Sequence, residues 1–285
     1  MTVKIITDST AYLDRKLLKE LDITEVSMTV YLEDGLFAET DLINEEFYQL
    51  IEGKEKLPTS SQPSPLVFYQ NYLRLVKQGQ EILCVLISSD LSGTYYSAVQ
   101  ARKMVLEEIP EARIEIINSH TTVMQLGLAA LTAARAAREG ASLEQVIEKT
   151  NSVLSRSKIF FIPKTLEYLK KGGRIGEAAS LLGTLLQVKP ILTVTGSVTV
   201  YEKVRTFEKA VKQMLQMVEN DAQTYGIEEI AVHHINCPAE CEQLIISKVK
   251  NKTEREILVS PIGPVIGLHV GPGTLGIAYV LKEKQ

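Results

Sequence analysis

The sequence predicts an α/β fold of two domains, the first with a mostly parallel sheet covered by helices on both faces, the second of mixed α+β type. In the first half of the chain, apolar β-branched runs alternate with segments of helical periodicity, as in parallel sheets. From about Ile159, strand-like runs predominate and the helical segments between them are shorter. A chain of 285 residues is long enough for two domains. We place the N-terminal α/β domain at 1–158 and the C-terminal α+β domain at 159–285.

The N-terminal elements follow from the period of the apolar residues. The predicted strands are Val3–Thr7, Glu25–Val30, Ile82–Ile87 and Ile114–Ile117. The predicted helices are Leu13–Leu21, Glu45–Ile51, Pro65–Lys77, Tyr95–Glu107, Val123–Glu139 and Ser142–Arg156. Because strands and helices alternate, a ligand site is expected beyond the carboxyl ends of the strands.

The C-terminal elements are mainly strands. They are predicted at Ile159–Ile162, Ile191–Val194, Val198–Val204, Ile227–His233, Glu256–Val259 and Gly276–Leu281. Thr195-Gly196-Ser197 is a tight link between two of them and predicts an antiparallel hairpin. Pro261–Thr274 is rich in Gly and Pro but otherwise apolar, which predicts a shaped, buried loop.

Composition excludes several classes of protein. The net charge of −4, with both signs dispersed, gives no electrostatic basis for binding nucleic acid. No apolar stretch is long enough to span a bilayer, and the chain enters a strand without a signal-peptide pattern. Three cysteines without framework spacing suit a reducing compartment. We therefore expect a cytoplasmic protein.

Cofactor and metal motifs are absent from the sequence. Walker, nucleophile-elbow and complete dinucleotide fingerprints are missing, so we expect no cofactor. His233 and His234, followed by Cys237 and Cys241, match no zinc spacing. We expect no metal site.

The turn Ser88–Thr94 is the most informative segment. It joins a buried strand to a helix and contains Ser92 and Gly93, so hydroxyls and free backbone N–H groups meet the positive end of the helix dipole. The turn has no lysine, which favours one small anion, a carboxylate or a single phosphate, over a polyphosphate. Two other strand ends, at Asp8–Thr10 and Asn118–Thr122, have a similar composition, and all three would line one rim. For any one turn, capping of the following helix is the better explanation, and it is the convergence of three such turns that weakens it.

Three further features are candidates for anion binding. The loop Leu57–Pro65 contains Ser60 and could supply hydroxyls near the Ser92 turn, although by itself it reads as a connection in which Ser64 caps the next helix. In the turn Leu169–Gly176, Gly172 fits a left-handed helix cap, which leaves Arg174 without a structural reason; an arginine fork binds phosphate or carboxylate. His269 is the only titratable group of the Pro261–Thr274 segment and is either a structural histidine or a catalytic or phosphate-contacting one.

Taken together, these segments resemble the DegV family of bacterial fatty-acid-binding proteins. The matching stretches, in family order, are Ile6–Ser9, Ser60–Ser64, Ser88–Tyr95, Leu169–Ile175, Lys189–Leu192 and His269–Ile277. They span nearly the whole chain.

The resemblance implies a fatty acid in an apolar tunnel between two α/β-type domains, with its carboxylate held by Ser60, Ser92 and Gly93. It implies palmitate, stearate or oleate as ligand and a separate fatty-acid kinase subunit as partner, which converts the bound acid to acyl phosphate for phospholipid synthesis. Arg174 and His269 map onto family residues associated with presenting the head group to the kinase. The protein is then a carrier, not an enzyme, and transient contact with a membrane is compatible with this role.

Several positions depart from the family pattern. Ser60 stands where the family has a threonine, so the hydroxyl is kept and a methyl group is lost. Leu268, Asn118 and Gln125 replace a usual threonine, aspartate and glycine. We expect these three to reshape the pocket floor. Two other functions remain open: a self-sufficient hydrolase or phosphotransferase using Ser92 or His269, and a lipid-sensing or storage module without a kinase.

Overall fold

Two groups of long-range contacts organise the chain in the computed structural model, which describes residues 2–182, 188–250, 252–253 and 255–283. One unit comprises residues 1–40 and 60–155, and the other comprises 41–59 and 156–285. The predicted domains kept residues 41–59 with the N-terminal part. In the structure this segment belongs to the second unit, where the single hydroxyl proton of Tyr48 is shared between the carbonyl oxygens of Ile262 and Gly263, at 2.7 Å and 2.9 Å.

The first unit is built on a parallel sheet. Its strands are β1 (Val3–Asp8), β2 (Thr24–Val26), β3 (Thr29–Leu32), β4 (Gly35–Ala38), β5 (Thr59–Ser61, of which Ser60 and Ser61 belong here), β6 (Glu81–Leu86) and β7 (Ile114–Asn118). Its helices are α1 (Arg15–Glu20), α3 (Pro65–Lys77), α4 (Thr94–Glu108), α5 (Val123–Arg138) and α6 (Leu143–Arg156), and α2 (Asn44–Ile51) lies in the second unit. Strands β2, β1, β6 and β7 pair in that order, all parallel, as predicted.

The strand order creates a switch point in this sheet. The chain passes from β1 outward to β2 and from β6 outward in the opposite direction to β7, so the carboxyl ends of the adjacent strands β1 and β6 form a crevice. The whole of β6 is buried, with Ile82, Cys84 and Leu86 packed against α3 and α4. The helix α5 contacts β1 and β6. This core fixes the positions of the two strand ends.

The predicted strand Glu25–Val30 is wrong as a single element. The structure breaks it into β2, in the parallel sheet, and β3, in a separate sheet of order β4-β3-β5. The reason is a tertiary contact, because the backbone N–H of Met28, which lies in the break, donates to Oγ of Ser9 at 3.0 Å. The strands β4 and β5 were not predicted.

The second unit contains a mixed six-stranded sheet. Its strands are β8 (Ser157–Ile162), β9 (Lys189–Thr195), β10 (Ser197–Val204), β11 (Ile227–His234), β12 (Leu258–Pro261) and β13 (Leu275–Leu281). Its further helices are α7 (Glu167–Lys171), α8 (Phe207–Tyr225), α9 (Pro238–Cys241), α10 (Ser247–Val249) and α11 (Pro264–Val270), with a π-helical turn at Glu242–Ile246 between α9 and α10. The order is β10-β9-β8-β13-β11-β12, in which only β11 and β12 are parallel. The predicted hairpin is confirmed, since Thr195 pairs with Ser197 across Gly196.

The expectation of a loop over Pro261–Thr274 is wrong for half of the segment. Residues Pro264–Val270 form α11, with Pro264 in its first turn and Gly271 immediately after its end. Proline at the start and glycine beyond the end are helix boundary residues, and the buried Val265 and Leu268 supply the apolar face. Across the described ranges, no helix is both long and apolar enough to cross a membrane.

Candidate functional site

The three hydroxyl-rich strand ends of the first unit are bonded to one another. The N–H of Ile87 donates to Oδ2 of Asp8 at 2.8 Å, which links the ends of β1 and β6. The N–H of Ser88 donates to the carbonyl oxygen of Thr121 at 2.8 Å. The N–H of Ser89 donates to Oδ1 of Asn118 at 3.2 Å. The structure therefore brings the three predicted turns together at the switch point of the sheet.

Asp8 is a structural clamp at this point. It is completely buried, and its Oδ1 also accepts from the N–H and the hydroxyl of Thr10, at 3.0 Å and 2.5 Å. Burial raises the pKa of its carboxyl group, and the bonds from Ile87 and Thr10 oppose that rise. Because its oxygens are occupied by these donors, Asp8 holds the two strand ends together.

Ser92 lies at the N-terminus of α4. Its Oγ is 2.8 Å from Oγ1 of Thr94, and the N–H of Thr94 approaches the same oxygen at 3.4 Å. Gly93 occupies the position just before the first helical residue. The first N–H groups of a helix have no acceptor within the helix and carry the positive end of its dipole. Ser92 and Gly93 thus stand where an anion is stabilised without a cationic side chain.

The Ser60 loop and the Ser92 turn are neighbours through Gln62. A Cβ atom added at Gly93 would lie 2.1 Å from Oε1 of Gln62, so the carboxamide rests directly on the glycine. Nε2 of Gln62 donates to Oγ of Ser97, in the first turn of α4, at 3.1 Å. Ser60 is half-buried two residues before Gln62. Ser64 is the residue before α3, as predicted, but its side chain makes no capping hydrogen bond.

A cluster of carboxyl groups, not predicted from the sequence, lies in the same unit. Glu39 is 4 % exposed; it accepts hydrogen bonds from the hydroxyls of Ser9 and Tyr12. Burial, followed by the charges of Glu39 and Asp8, raises the pKa of Glu25 to about 7. The two glutamates lie on separate elements, β2 and the turn after β4, so no local pattern in the sequence pairs them.

In the second unit, Arg174 and His269 meet at Gly172. Nη1 of Arg174 donates to the carbonyl oxygen of Gly172 at 2.9 Å. A Cβ atom at Gly172 would lie 2.1 Å from Nδ1 of His269, in the last turn of α11. The predicted left-handed conformation belongs to the next residue, since Gly172 has φ −77° and Gly173 has φ +67°. Gly172 is needed for space beside the ring.

Burial lowers the pKa of His269 to about 4, and the positive charge of Arg174 adds to this effect. The ring is therefore neutral at pH 7, and the exposed guanidinium of Arg174 carries the positive charge of the pair. A neutral imidazole next to an arginine can form hydrogen bonds to an anion while the arginine supplies the charge.

The histidine and cysteine segment is buried within the second unit. His233 and His234 are 4 % and 7 % exposed, and burial lowers the pKa of His233 to about 3. Cys237 donates to the carbonyl oxygen of Thr274 at 3.5 Å. In the part of the chain that the structure describes, no three His, Cys, Asp or Glu residues are placed to hold a metal ion. The absence of a metal stays a prediction.

Two of the residues that depart from the expected pattern serve the strand-end turns. Asn118 donates from Nδ2 to Oγ of Ser89 at 2.7 Å. Gln125 is buried and accepts from the hydroxyl of Thr121 at 2.5 Å. Leu268 is buried in α11. Their predicted effect on a pocket floor stays a prediction.

The family model described as the DegV family of uncharacterised proteins matches residues 2–282 of this chain. The chain belongs to the DegV family. The resemblance found in the sequence motifs is confirmed over the whole length.

Similar proteins extend this result. A DegV domain-containing protein of Clostridium acetobutylicum is 48 % identical over 286 residues, which cover 100 % of both chains. A DegV family protein from Thermus thermophilus, described by its fatty acid binding, has a TM-score of 0.89 and 30 % identity, covering 99 % of this chain and 100 % of its own. A stearic-acid-binding protein from Eubacterium ventriosum has a TM-score of 0.87 and 28 % identity, covering 98 % of each chain. The α/β fold is thus the fold of DegV structures.

Proposed function

We propose that this DegV protein binds a long-chain fatty acid such as palmitate, stearate or oleate, with Ser60, Ser92 and the backbone at Gly93 holding the carboxylate. The observation that carries the proposal is the hydroxyl-rich turn at the N-terminus of α4, at the switch point of the parallel sheet. Its donors suit one small anion. The solved relatives described as binding fatty acid or stearic acid support the same ligand class.

The energetics explain why the head-group donors matter. A tail of about 14 methylene groups gains about 11 kcal/mol on leaving water. A bilayer offers nearly the same gain, so the tail alone cannot transfer the lipid from membrane to protein. Each charge-assisted hydrogen bond to the carboxylate contributes about 1.5–3 kcal/mol. In this proposal, the hydroxyls of Ser60 and Ser92 decide whether the protein competes with the membrane.

The finer part of the proposal is a carrier role. The bound acid is presented to a separate fatty-acid kinase, which transfers the γ-phosphoryl group of ATP to a carboxylate oxygen; an O–P bond forms in the acyl phosphate and ADP leaves. Arg174 neutralises the phosphoryl group, and His269 contacts that group or the kinase as a neutral hydrogen-bonding ring. The adjacency of these two side chains at Gly172 supports a shared role.

The binding step is tested by isothermal titration with stearate, after extraction of any copurified lipid. Ser60→Ala and Ser92→Ala should each weaken binding roughly tenfold or more, since each removes one charge-assisted bond. Ser64→Ala is the matched control, because this exposed serine of the same loop makes no capping bond. Unchanged affinity in both test variants would contradict the assignment of the carboxylate site.

The carrier step is tested with a cognate kinase, ATP and the stearate-loaded protein, by measuring ADP release and acyl phosphate. Arg174→Ala should lower the rate strongly while stearate affinity is retained. Lys170→Ala is the control, because it removes an exposed cation four residues away. An unchanged rate with Arg174→Ala contradicts the role of this arginine. Turnover of an ester or phosphoester by the isolated protein would instead favour a self-sufficient enzyme.

A further inference from the structure

We propose that Thr94 is a positioning residue for the carboxylate site: its buried hydroxyl orients the hydroxyl of Ser92 so that Ser92 donates to the ligand. This inference rests on the proposed binding of a fatty acid carboxylate at Ser92. Thr94 is the first residue of α4 and is completely buried. In this inference it supports Ser92, a predicted ligand contact, and does not touch the ligand itself.

The hydroxyl of Thr94 lies between two acceptors. Its Oγ1 is 2.8 Å from Oγ of Ser92 and 3.5 Å from Sδ of Met28. A threonine hydroxyl has one proton to donate, and a thioether is a weak acceptor. Thr94 can therefore donate to Met28 and accept from Ser92, or donate to Ser92 and leave the sulfur without a proton.

A bound carboxylate selects the second arrangement. When Ser92 donates its proton to a carboxylate, its oxygen is free to accept from Thr94, and the two bonds polarise each other in the same direction. In the first arrangement, the proton of Ser92 points at Thr94, so Ser92 cannot donate it to the ligand. When hydrogen bonds run from Thr94 through Ser92 to the carboxylate, a weak contact with sulfur is thus replaced by a cooperative, charge-assisted hydrogen bond.

Met28 is enclosed at this place, because its backbone is hydrogen-bonded on both sides and its side chain is buried. Its N–H donates to Oγ of Ser9 at 3.0 Å, and its carbonyl oxygen accepts from the N–H of Glu39 at 2.9 Å. Its side chain is 2 % exposed. The β-branched side chain of Thr94 is stiff about χ1. Only the hydroxyl proton is left to reorient, so Thr94 acts on the ligand through the direction of one bond.

A purely structural role of Thr94 makes a different prediction. If Thr94 only packs the first turn of α4, its replacement lowers stability and weakens all ligands alike. If it positions the donor of Ser92, its replacement weakens a carboxylate but not a neutral head group on the same tail. The comparison of an acid with its alcohol separates the two roles.

The experiment measures the affinities of oleate and oleyl alcohol for the full chain by displacement of a fluorescent fatty acid. Thr94→Val keeps the shape and removes the proton, so oleate should bind roughly tenfold more weakly, while oleyl alcohol stays within about twofold. Thr94→Ser keeps the hydroxyl and should bind oleate about as tightly as the wild type. In a Ser92→Ala background, Thr94→Val should have little further effect, because the hydroxyl that Thr94 orients has already been removed.

A second variant keeps the test valid where Thr94→Val fails to fold. Met28→Leu removes the competing sulfur acceptor at nearly constant volume, so oleate affinity should rise a few-fold while oleyl alcohol affinity stays the same, which structural damage does not produce. If Ser92→Ala weakens oleate but Thr94→Val does not, or if Met28→Leu does not raise oleate affinity relative to oleyl alcohol, the positioning role is refuted and the binding function stands. If the wild-type chain binds no oleate, the proposed function fails and the inference fails with it.

Discussion

Replacing Gly172 by alanine should displace the ring of His269, because this glycine is required for space and not for its backbone conformation. Its φ of −77° is available to any residue. The added Cβ atom would lie 2.1 Å from Nδ1 of His269 and 3.1 Å from Cε1. The ring must therefore retreat by about 1.3 Å, the difference between 2.1 Å and the 3.4 Å at which ordinary contact begins.

The substitution should change both the stability of the fold and the pKa of the ring. Overpacking of this kind costs about 1–3 kcal/mol of unfolding free energy. Burial lowers the pKa of the His269 ring from an ordinary 6.5 to about 4, which corresponds to about 3 kcal/mol of preference for the neutral form. Since the folded-state pKa is the lower one, this stabilisation is complete above about pH 6.5 and is lost as the pH falls toward about 4. A ring pushed toward water should regain part of its ordinary pKa.

The assay is an NMR titration of the ring protons of the four histidines, with the His269 resonance assigned through His269→Gln. In Gly172→Ala the pKa of His269 should rise from about 4 toward 6.5. Urea unfolding at about pH 7 and pH 5 should show a smaller loss of stability on acidification than in the wild type, because less of the shift remains to be released.

Gly173→Ala is the matched control for this change. Gly173 has φ +67° and nothing within 4 Å of an added Cβ atom, so alanine there strains the backbone by about 1–2 kcal/mol without touching the ring. The two variants should lose similar stability, but only Gly172→Ala should move the pKa of His269. If the pKa stays near 4 in Gly172→Ala, the contact between glycine and ring does not set the position of His269.

Three further predictions concern the hydrogen bond of Tyr48 in α2, the Ser92 turn and the carboxyl groups around Glu25. Tyr48→Phe removes the bond of 2.7 Å to the carbonyl of Ile262 and should lower the unfolding free energy by about 1–2 kcal/mol in urea, whereas an unchanged midpoint would show that the bond adds nothing. Gly93→Ala forces the carboxamide of Gln62 away from a contact of 2.1 Å, so stearate binding measured by calorimetry should weaken at least several-fold; equal binding would contradict the coupling of loop and turn. The pKa of Glu25 is raised to about 7, so its ionisation destabilises the fold as the pH rises from about 4.5 through 7. Glu25→Gln should therefore be more stable than the wild type at about pH 8 but not at about pH 4. A stability difference that does not depend on pH would refute this sign.

Much of the fold could be predicted because its strands are buried apolar runs and its helices carry boundary residues. The predicted helix Pro65–Lys77 has the same bounds in the structure, since Pro65 suits its first turn. The break within Glu25–Val30 could not be predicted, because the local pattern runs on and the interruption depends on a bond between Met28 and Ser9, 19 residues away. In α11, the same Gly and Pro residues that were interpreted as loop signals mark the two ends of a helix.

The candidate site likewise contains contacts that could be predicted from the sequence and contacts that could not. Convergence of the strand-end turns follows from the alternation of strands and helices, since carboxyl ends of parallel strands share one edge. The contact of Thr94 with Met28 and the bond of Ser9 to Glu39 depend on side-chain packing across the fold. The proximity of Gly172 to His269 joins residues 97 positions apart and gives no local signal, because a glycine that makes room for a ring looks in the sequence like a glycine that ends a helix.

The kinds of donor at the two candidate sites suit the two halves of the proposed carrier reaction. The described contacts at the Ser92 turn come from hydroxyls, a carboxamide and a helix N-terminus, which are neutral donors. Neutral donors fix a carboxylate in one geometry while withdrawing less of its electron density than an arginine fork would, so the oxygen that must attack phosphorus keeps its nucleophilicity. In the proposed reaction, positive charge is needed only when a phosphoryl group arrives, and the neutral His269 would leave that charge to the guanidinium of Arg174. Removing the two kinds of donor should therefore damage different steps: Arg174→Gln should slow phosphoryl transfer with little effect on stearate affinity, and Ser92→Ala should weaken stearate affinity.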